Sequence, residues 1–135
     1  YGYPRAEFYR ADRGMGTLMC HYRHRAHPNP YILVGLQDIT SHVDFSAAAE
    51  AGLEAGLELA GFTTQANFLC GCGIDGLLAE LDPMADLKTY WRAAQEIKHL
   101  LLPGAMGEIF KVMALSRNIG EPLLGFQLRD LRDRL

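Results

Sequence analysis

The sequence contains little cysteine. Its 3 cysteines are Cys20, Cys70 and Cys72, and the last two stand in a C-x-C pair that is too short for an ordinary disulfide between them. A sparse and odd-numbered set of this kind argues against a disulfide-stapled secreted domain. It indicates a reducing compartment.

The sequence also lacks a long apolar run. No stretch approaches the roughly 18 apolar residues that are needed to span a bilayer, and no charged-then-apolar leader opens the chain. We therefore expect no membrane span. The first residue is Tyr1 rather than methionine, which we interpret as a cut within a longer protein. The expected location is the bacterial cytoplasm, or the mitochondrial matrix in a eukaryote.

Neither sign of charge is in large excess. The 135 residues carry a formal net charge of −3, which argues against a nucleic-acid partner because such domains are usually basic. This length fits one domain or a large part of one. The basic side chains nevertheless crowd the first quarter of the chain, at Arg5, Arg10, Arg13, Arg23 and Arg25, with His21, His24 and His27 beside them.

The chain divides into a loop-rich basic segment, 1–37, and an α/β portion, 38–135. Short strands are predicted at Thr17–Tyr22 and Ile39–Val43. From Ser46 to Ala60 the apolar residues recur at helical spacing, with glutamates on another face, and this pattern predicts an amphipathic helix. Asp44 or Ser46 is placed to cap its first turn.

Beyond Gly61 the pattern predicts a brief strand and three helices, at Phe62–Gln65, Asn67–Cys70, Gly76–Leu81 and 82–102. Asp82 and Pro83 are suited to the cap and the first position of the last helix. The β-branched and aromatic residues of Glu108–Leu115 predict a strand. After a turn-rich cluster, Leu123–Leu128 is expected to be its hairpin partner.

A dinucleotide-binding fingerprint occurs at Gly71-Cys72-Gly73-Ile74-Asp75-Gly76, which spells G-x-G-x-x-G. That chemistry needs a strand before the glycines, a helix after them and an acidic residue about 20 positions on. Here the preceding residues look helical, and the acidic residues are misplaced. We therefore favour helix punctuation, with Gly71 or Gly73 as a left-handed stop and Asp75 as the next cap.

The histidine cluster His21–His27 has three histidines at steps of three residues, next to Cys20. A zinc site usually takes four ligands from two separated pairs, so no metal site is predicted. Two interpretations stay open. The segment is either a hydrogen-bonding basic wall near an anionic group or a solvated basic loop.

Polar side chains alternate in the stretch from Gln37 to Phe45. Asp38, Thr40, His42 and Asp44 would all lie on one face of a strand. Such a face can line a catalytic cleft, because carboxylates take or orient protons. The alternative is that Asp44 caps a helix and Asp38 bonds a turn. We favour the cap for Asp44 and leave both readings open for Asp38 and His42.

Several short segments, in order along nearly the whole chain, resemble the carboxyl-terminal half of the MidA-like family. These segments are Tyr1-Gly2, Gly16-Thr17-Leu18, Arg23-His24-Arg25, 37–40, 42–45, Gln65 with Phe68-Leu69, Gly73-Ile74, 106–108 and 110–112. The family comprises S-adenosylmethionine-dependent methyltransferases. Its mitochondrial members assist complex I assembly by methylating a protein arginine.

The resemblance implies an α/β fold: the carboxyl-terminal part of a Rossmann-like methyltransferase fold, ending in an antiparallel strand or hairpin. Residues 1–135 would then be the carboxyl-terminal portion of a single methyltransferase domain. The amino-terminal half, which carries the cofactor-binding glycine loop of the family, is absent from this sequence. S-adenosylmethionine is thus expected as the cofactor of the complete protein but not of this segment, which we expect to be inactive alone.

For an arginine acceptor, carboxylates suit the fork of guanidinium donors. Asp38 is therefore the predicted catalytic residue, and His24, His42, Asp44 and Gln65 are the predicted substrate-binding residues. The resemblance further implies that Tyr1 and Gly2 lie near the cofactor cleft. The expected partner is a protein substrate. The alternative is a non-catalytic interaction module, and an uncovered sheet edge also predicts a possible homodimer.

Overall fold

A computed structural model describes all residues, 1–135, as short strands and helices in alternation. The strands are β1 (Gly2–Tyr3), β2 (Met19–Tyr22), β3 (Arg25–His27), β4 (Asp38–Thr40), β5 (Val43–Asp44), β6 (Glu58–Thr64) and β7 (Lys111–Ser116). The helices are α1 (Arg5–Phe8), α2 (Phe45–Glu54), α3 (Gln65–Gly71), α4 (Ile74–Ala79) and α5 (Leu87–Leu101). Single 3-10 turns lie at Ala11–Arg13, Leu124–Phe126 and Arg132–Arg134.

The strands form three small sheets. Strand β1 pairs in parallel with β5, with Gly2 opposite Val43. Strand β2 is the centre of an antiparallel sheet in which β3 and β4 are the edges. Strands β6 and β7 pair antiparallel, with an irregularity in register between Leu59 and Gly61. The chain is therefore of mixed α/β class.

The first predicted strand is confirmed, because β2 lies within Thr17–Tyr22. The second is split: β4 ends at Thr40 and pairs with β2, whereas β5 starts at Val43 and pairs with β1. The chain passes from one sheet to another through Ser41 and His42. The prediction that Asp38, Thr40, His42 and Asp44 share one strand face is therefore wrong.

The predicted helix from Ser46 to Ala60 is confirmed in its first part only. Helix α2 ends at Glu54, and Gly56 follows with a left-handed φ of 76°, a conformation that glycine adopts without steric cost. The residues after it join β6, because pairing with β7 satisfies their backbone groups. The predicted cap is confirmed: Asp44 accepts a hydrogen bond from the N–H of Ala47 at 3.0 Å.

The later helices are present with shifted boundaries. Helices α3 and α4 overlap the predicted pieces, but the long helix does not start at Asp82. It starts at Leu87, where the Asp86 side chain accepts a hydrogen bond from the N–H of Thr89 at 3.0 Å. No residue of α5 is buried, and Trp91 is 57% exposed.

Strand β7 confirms the strand predicted at Glu108–Leu115, but its predicted hairpin partner is wrong. Residues Leu124–Phe126 form a 3-10 turn, and the partner of β7 is β6. The Phe126 ring is buried against Gly61, where a Cβ would come within 2.3 Å of it. The apolar run therefore packs on the face of β6 instead of joining its edge.

A small core forms where α2, β6 and the carboxyl-terminal tail meet. Phe45, Phe62 and Leu131 form the cluster, and Met113 and Leu135 pack against it. The tail lies along β6, since the Leu131 N–H donates to the Phe62 carbonyl at 2.7 Å. No helix in the chain combines the length and apolarity that crossing a membrane requires.

The accessible surface is large for the size of the chain. It measures 9567 Å², whereas a folded monomer of 15.0 kDa is expected to expose about 7,000 Å². Only 16 of the 135 residues are buried. Much apolar surface therefore has no cover within residues 1–135.

Candidate functional site

A cleft of about 380 Å³ opens between the start of β1, the turn before β2 and the link from β4 to β5. We call it the basic cleft. Its polar lining comes from Tyr1, Arg13, Thr17, His21, Thr40, Ser41 and His42. The crossing from one sheet to another creates this cleft, because it places the 41–42 link against the turn that contains Thr17.

His42 forms the inner wall of the basic cleft. Its backbone N–H donates to the Thr17 hydroxyl at 3.1 Å, and its ring lies 5.2 Å from the Tyr3 ring and 6.2 Å from the Tyr1 ring, between centroids. The Nδ1 atom is buried and has no hydrogen-bond partner. Burial first, and then the positive charge of Arg13, lower the pKa of His42 below its ordinary value. The neutral imidazole is therefore favoured at neutral pH.

Arg13 closes one side of the cleft. Its guanidinium carbon lies 3.9 Å from the centroid of the Tyr3 ring, a cation–π arrangement. Its Nη1 donates to the Glu7 carbonyl at 2.6 Å. Since Arg13 makes no ion pair with a carboxylate, its charge stays available to the cleft.

The structure brings two of the predicted residues into this cleft, Tyr1 and His42. Tyr1 also stacks on Phe110, at 4.6 Å between ring centroids. Gly2 is buried next to the cleft, where a Cβ would come within 2.5 Å of the Val43 carbonyl and 2.6 Å of the Phe45 ring. The position therefore requires glycine for packing.

Asp38 and His24 lie outside the basic cleft. Asp38 is exposed on β4, opposite His21 in the strand register, and it does not line the cleft. His24 occupies the two-residue turn between β2 and β3, with a φ of 63°. Its side chain is exposed and does not line the cleft.

Asp44 and Gln65 are engaged in local structure. Asp44 caps α2, as described above. The Gln65 side-chain amide donates to the Leu100 carbonyl at 3.0 Å and so ties the start of α3 to the end of α5. The structure thus gives both residues a structural contact, and their predicted substrate contacts stay predictions.

Sequence reasoning did not select Arg13, Thr17 or His21 as site residues. The signals were present, because Arg13 and His21 belong to the basic first quarter and Thr17 belongs to one of the matched segments. Spacing alone gave no reason to group them with His42. Their grouping depends on the pairing of β2 with β4.

The glycine motif is helix punctuation in this structure. Gly71 ends α3, and Gly73 precedes α4 with a left-handed φ of 81°. No strand leads into the motif, so it does not form a pyrophosphate cradle. The prediction that Asp75 caps the next helix is wrong, since Gly73 is the cap residue and makes no side-chain bond.

The histidine segment forms the β2–β3 hairpin. His21 and His27 lie on different strands, and both ring nitrogens of His27 are buried without a hydrogen-bond partner. No group of three or more His, Cys, Asp or Glu side chains in the chain could hold a metal ion. All three cysteines are free, with Cys20 buried and the other two exposed.

A second depression of about 380 Å³ lies beside the ends of β6 and β7. Its charged lining includes Glu58, Asp130 and Arg132, and Asp130 and Arg132 form an ion pair at 2.7 Å. Arg132 also donates to the Leu59 carbonyl at 2.8 Å. These groups hold the tail against β6, so we take the basic cleft as the candidate site.

Comparisons with known proteins found one family model and solved structures that are similar to this chain. Residues 1–63 match a family model described as "Putative S-adenosyl-L-methionine-dependent methyltransferase". A solved structure of a COG1565 superfamily member from Burkholderia thailandensis, bound to S-adenosyl-homocysteine, is 50% identical, with a TM-score of 0.93 over 100% of this chain. A second structure, of an uncharacterized COG1565 superfamily protein from the same organism, gives the same identity, TM-score and coverage of this chain.

This chain spans only 35% of the length of the first of those proteins and 36% of the second. A search of curated proteins gave no significant match. Residues 1–63 are thus similar to a model of putative S-adenosyl-L-methionine-dependent methyltransferases, and the whole chain is similar to part of two COG1565 superfamily structures.

Proposed function

We propose that this chain is the carboxyl-terminal portion of a Rossmann-like S-adenosylmethionine-dependent methyltransferase of the MidA-like type. The similarity at 50% identity to a protein bound to S-adenosyl-homocysteine carries the proposal. The parallel pairing of β1 with β5 adds support, because parallel strands occur almost only in sheets that are covered on both faces. The excess of exposed surface is what a part of a larger domain would show.

The residues present fit part of the methyl donor. S-adenosylmethionine supplies a methyl group on a sulfonium cation, and aromatic faces attract such cations. Tyr1 and Tyr3 offer these faces beside His42. The glycine motif of this chain does not add a phosphate or ribose cradle, so binding by the isolated segment is expected to fail.

The proposed acceptor is a protein arginine. The contact between the Tyr3 ring and the Arg13 guanidinium is an example, beside the cleft, of an aromatic ring that holds a group of this chemistry. In this proposal Asp38, which lies outside the cleft on β4, orients the acceptor guanidinium, and neutral His42 accepts a proton. Methyl transfer depends mainly on holding donor and acceptor in line, so these residues would act chiefly by positioning.

Tritium-labelled methyl transfer tests the proposal. The complete protein is expected to label a protein substrate at arginine, identified by mass spectrometry, whereas residues 1–135 alone transfer nothing. Asp38→Asn in the complete protein should cut turnover sharply and leave the melting temperature nearly unchanged. Labelling by the isolated segment, or equal loss of stability and turnover in Asp38→Asn, would contradict the proposal.

The second candidate function is a non-catalytic interaction module that also forms homodimers. The large exposed surface favours it, with apolar side chains such as Tyr31, 88% exposed, and Val34, 77% exposed, in one loop. Standard interfaces bury about 800 Å² on each partner, which this surface can supply. A glycine-rich loop after a strand in the coding sequence upstream of Tyr1 would decide for the enzyme, and an unrelated domain there would decide for the module.

A further inference from the structure

The one permanently charged side chain that lines the basic cleft is the cation Arg13. Arg13, His21 and His42 line it, and no Asp or Glu does. The ion pairs of this chain all lie elsewhere, and the neighbouring carboxylate Asp12 is paired with Arg10 at 3.2 Å. Arg13 therefore has no carboxylate partner among the residues that line the cleft, although Asp38 lies opposite the lining residue His21 in the strand register.

The hydrogen-bond donors at the cleft are also incompletely used. A guanidinium carries five N–H donors, and the one side-chain hydrogen bond of Arg13 goes to the Glu7 carbonyl. The His42 Nδ1 is buried without a partner. Buried polar atoms rarely lack a partner in folded proteins, and leaving one unsatisfied is costly. A ligand with acceptor atoms would satisfy the free donors of Arg13.

We propose that the basic cleft binds a carboxylate group. The planar fork of Arg13 matches two carboxylate oxygens, and the hydroxyls of Thr17 and Thr40 and the ring of His21 offer further polar contacts. The inference rests on the proposed function, because that reaction supplies two sources of a carboxylate. One is the α-carboxylate of the methyl donor, and the other is a carboxylate on the acceptor beside the methylated group.

The cleft also limits what the acceptor presents there. A guanidinium inside this cleft would face Arg13 with no acidic lining residue to balance the charge. The carboxylate therefore occupies the cleft itself, whereas an arginine acceptor would lie beside the rings of Tyr1 and Tyr3. This division assigns Arg13 to binding of the carboxylate and leaves acceptance of the proton to His42, whose ring neighbours those of Tyr1 and Tyr3.

Calorimetry on the complete protein tests the first source. The probes are S-adenosylhomocysteine and its decarboxylated analogue. The variants are Arg13→Gln, Arg13→Lys and the matched control Arg10→Gln, which removes the same charge from the same segment but outside the cleft. Circular dichroism verifies that each variant is folded.

If the donor carboxylate occupies the cleft, Arg13→Gln should raise the Kd of S-adenosylhomocysteine about tenfold or more, since a hydrogen bond to a charged group is lost. The decarboxylated analogue should bind the wild type and Arg13→Gln equally. Arg13→Lys should retain most of the affinity, and Arg10→Gln should bind like the wild type.

Nuclear magnetic resonance of the His42 ring tests the second source. Acetate is the probe, methylammonium is the control cation, and the protein is saturated with S-adenosylhomocysteine. If an acceptor carboxylate occupies the cleft, acetate should shift the His42 resonance in the wild type but not in Arg13→Gln, and the Kd of S-adenosylhomocysteine should not depend on Arg13. A Kd of S-adenosylhomocysteine that depends on Arg13 and an acetate shift of His42 that depends on Arg13 each support the carboxylate site.

The inference is overturned if acetate leaves the His42 resonance unchanged and Arg13→Gln leaves the Kd of S-adenosylhomocysteine unchanged. Failure of the proposed function looks different. In that case the wild type does not bind S-adenosylhomocysteine at all, and the acetate titration without it still decides whether the cleft takes a carboxylate.

Discussion

The contact between Gly61 and the Phe126 ring offers a quantitative test of how the carboxyl-terminal segment is held. A Cβ at position 61 would come within 2.3 Å of the ring of Phe126, which is only 6% exposed. The ring is further confined by Phe68, at 5.3 Å between centroids. Gly61→Ala must therefore displace a buried ring, and overpacking of this kind costs about 1–3 kcal/mol of unfolding free energy.

A double-mutant cycle separates this clash from other effects of alanine. Phe126→Ala alone should cost about 3–5 kcal/mol, because it removes a buried aromatic side chain. The double variant should cost less than the sum of the two single variants, by about 1–3 kcal/mol, since the added methyl group then meets no ring. The two substitutions are therefore expected to be less destabilising together than their separate costs would add up to.

Urea unfolding followed by circular dichroism measures the four free energies. Gly76→Ala is the matched control, because a Cβ there meets nothing within 4 Å and the residue lies inside α4. It should stabilise the protein by up to about 1 kcal/mol through helix propensity. The reasoning is refuted if Gly61→Ala is as harmless as Gly76→Ala, or if the costs of Gly61→Ala and Phe126→Ala simply add.

Three further predictions concern the candidate site and its surroundings. The native pKa of His42 is lowered, so the unfolded state binds more protons than the native state as the pH falls. The contribution of His42 to the free energy of unfolding should be complete above about pH 6.5 and lost as pH falls through the lower native pKa. His42→Asn should flatten this dependence of stability on pH, measured by urea titrations at several pH values. Asp44→Ala should cost about 1 kcal/mol by removing the cap on the Ala47 N–H, whereas Asp38→Ala, which removes no hydrogen bond, should leave the unfolding free energy unchanged; equal losses would contradict the capping role. His24→Gly should raise the melting temperature, because a left-handed φ of 63° costs a non-glycine residue about 1 kcal/mol. If the same substitution also lowers the turnover of the complete protein, His24 takes part in substrate binding.

Local signals in the sequence predicted part of the fold well. The cap at Asp44 and strand β2 were readable from neighbouring residues, because their hydrogen bonds and periodicity involve short separations along the chain. The family resemblance also came from short segments in order. These features need no knowledge of what packs against what.

Tertiary structure decided the pairing of strands and the composition of the site. Residues 58–60 continue a helical pattern in the sequence, yet they join β7, which lies more than forty positions later. Phe126 belongs to an apolar run that resembles a strand, yet its ring is buried on Gly61. In both cases a long-range contact outweighed a local propensity that is worth less than about 1 kcal/mol per residue.

The basic cleft shows the same division. The sequence predicted Tyr1 and His42 as site residues, and it indicated that basic residues are concentrated near the start of the chain. Only the tertiary structure placed Arg13 and His42 in one cleft and left Asp38 outside it. The physical reason is that β4 and β5 belong to different sheets, so the link between them turns His42 inward, and no periodicity within that stretch encodes the crossing.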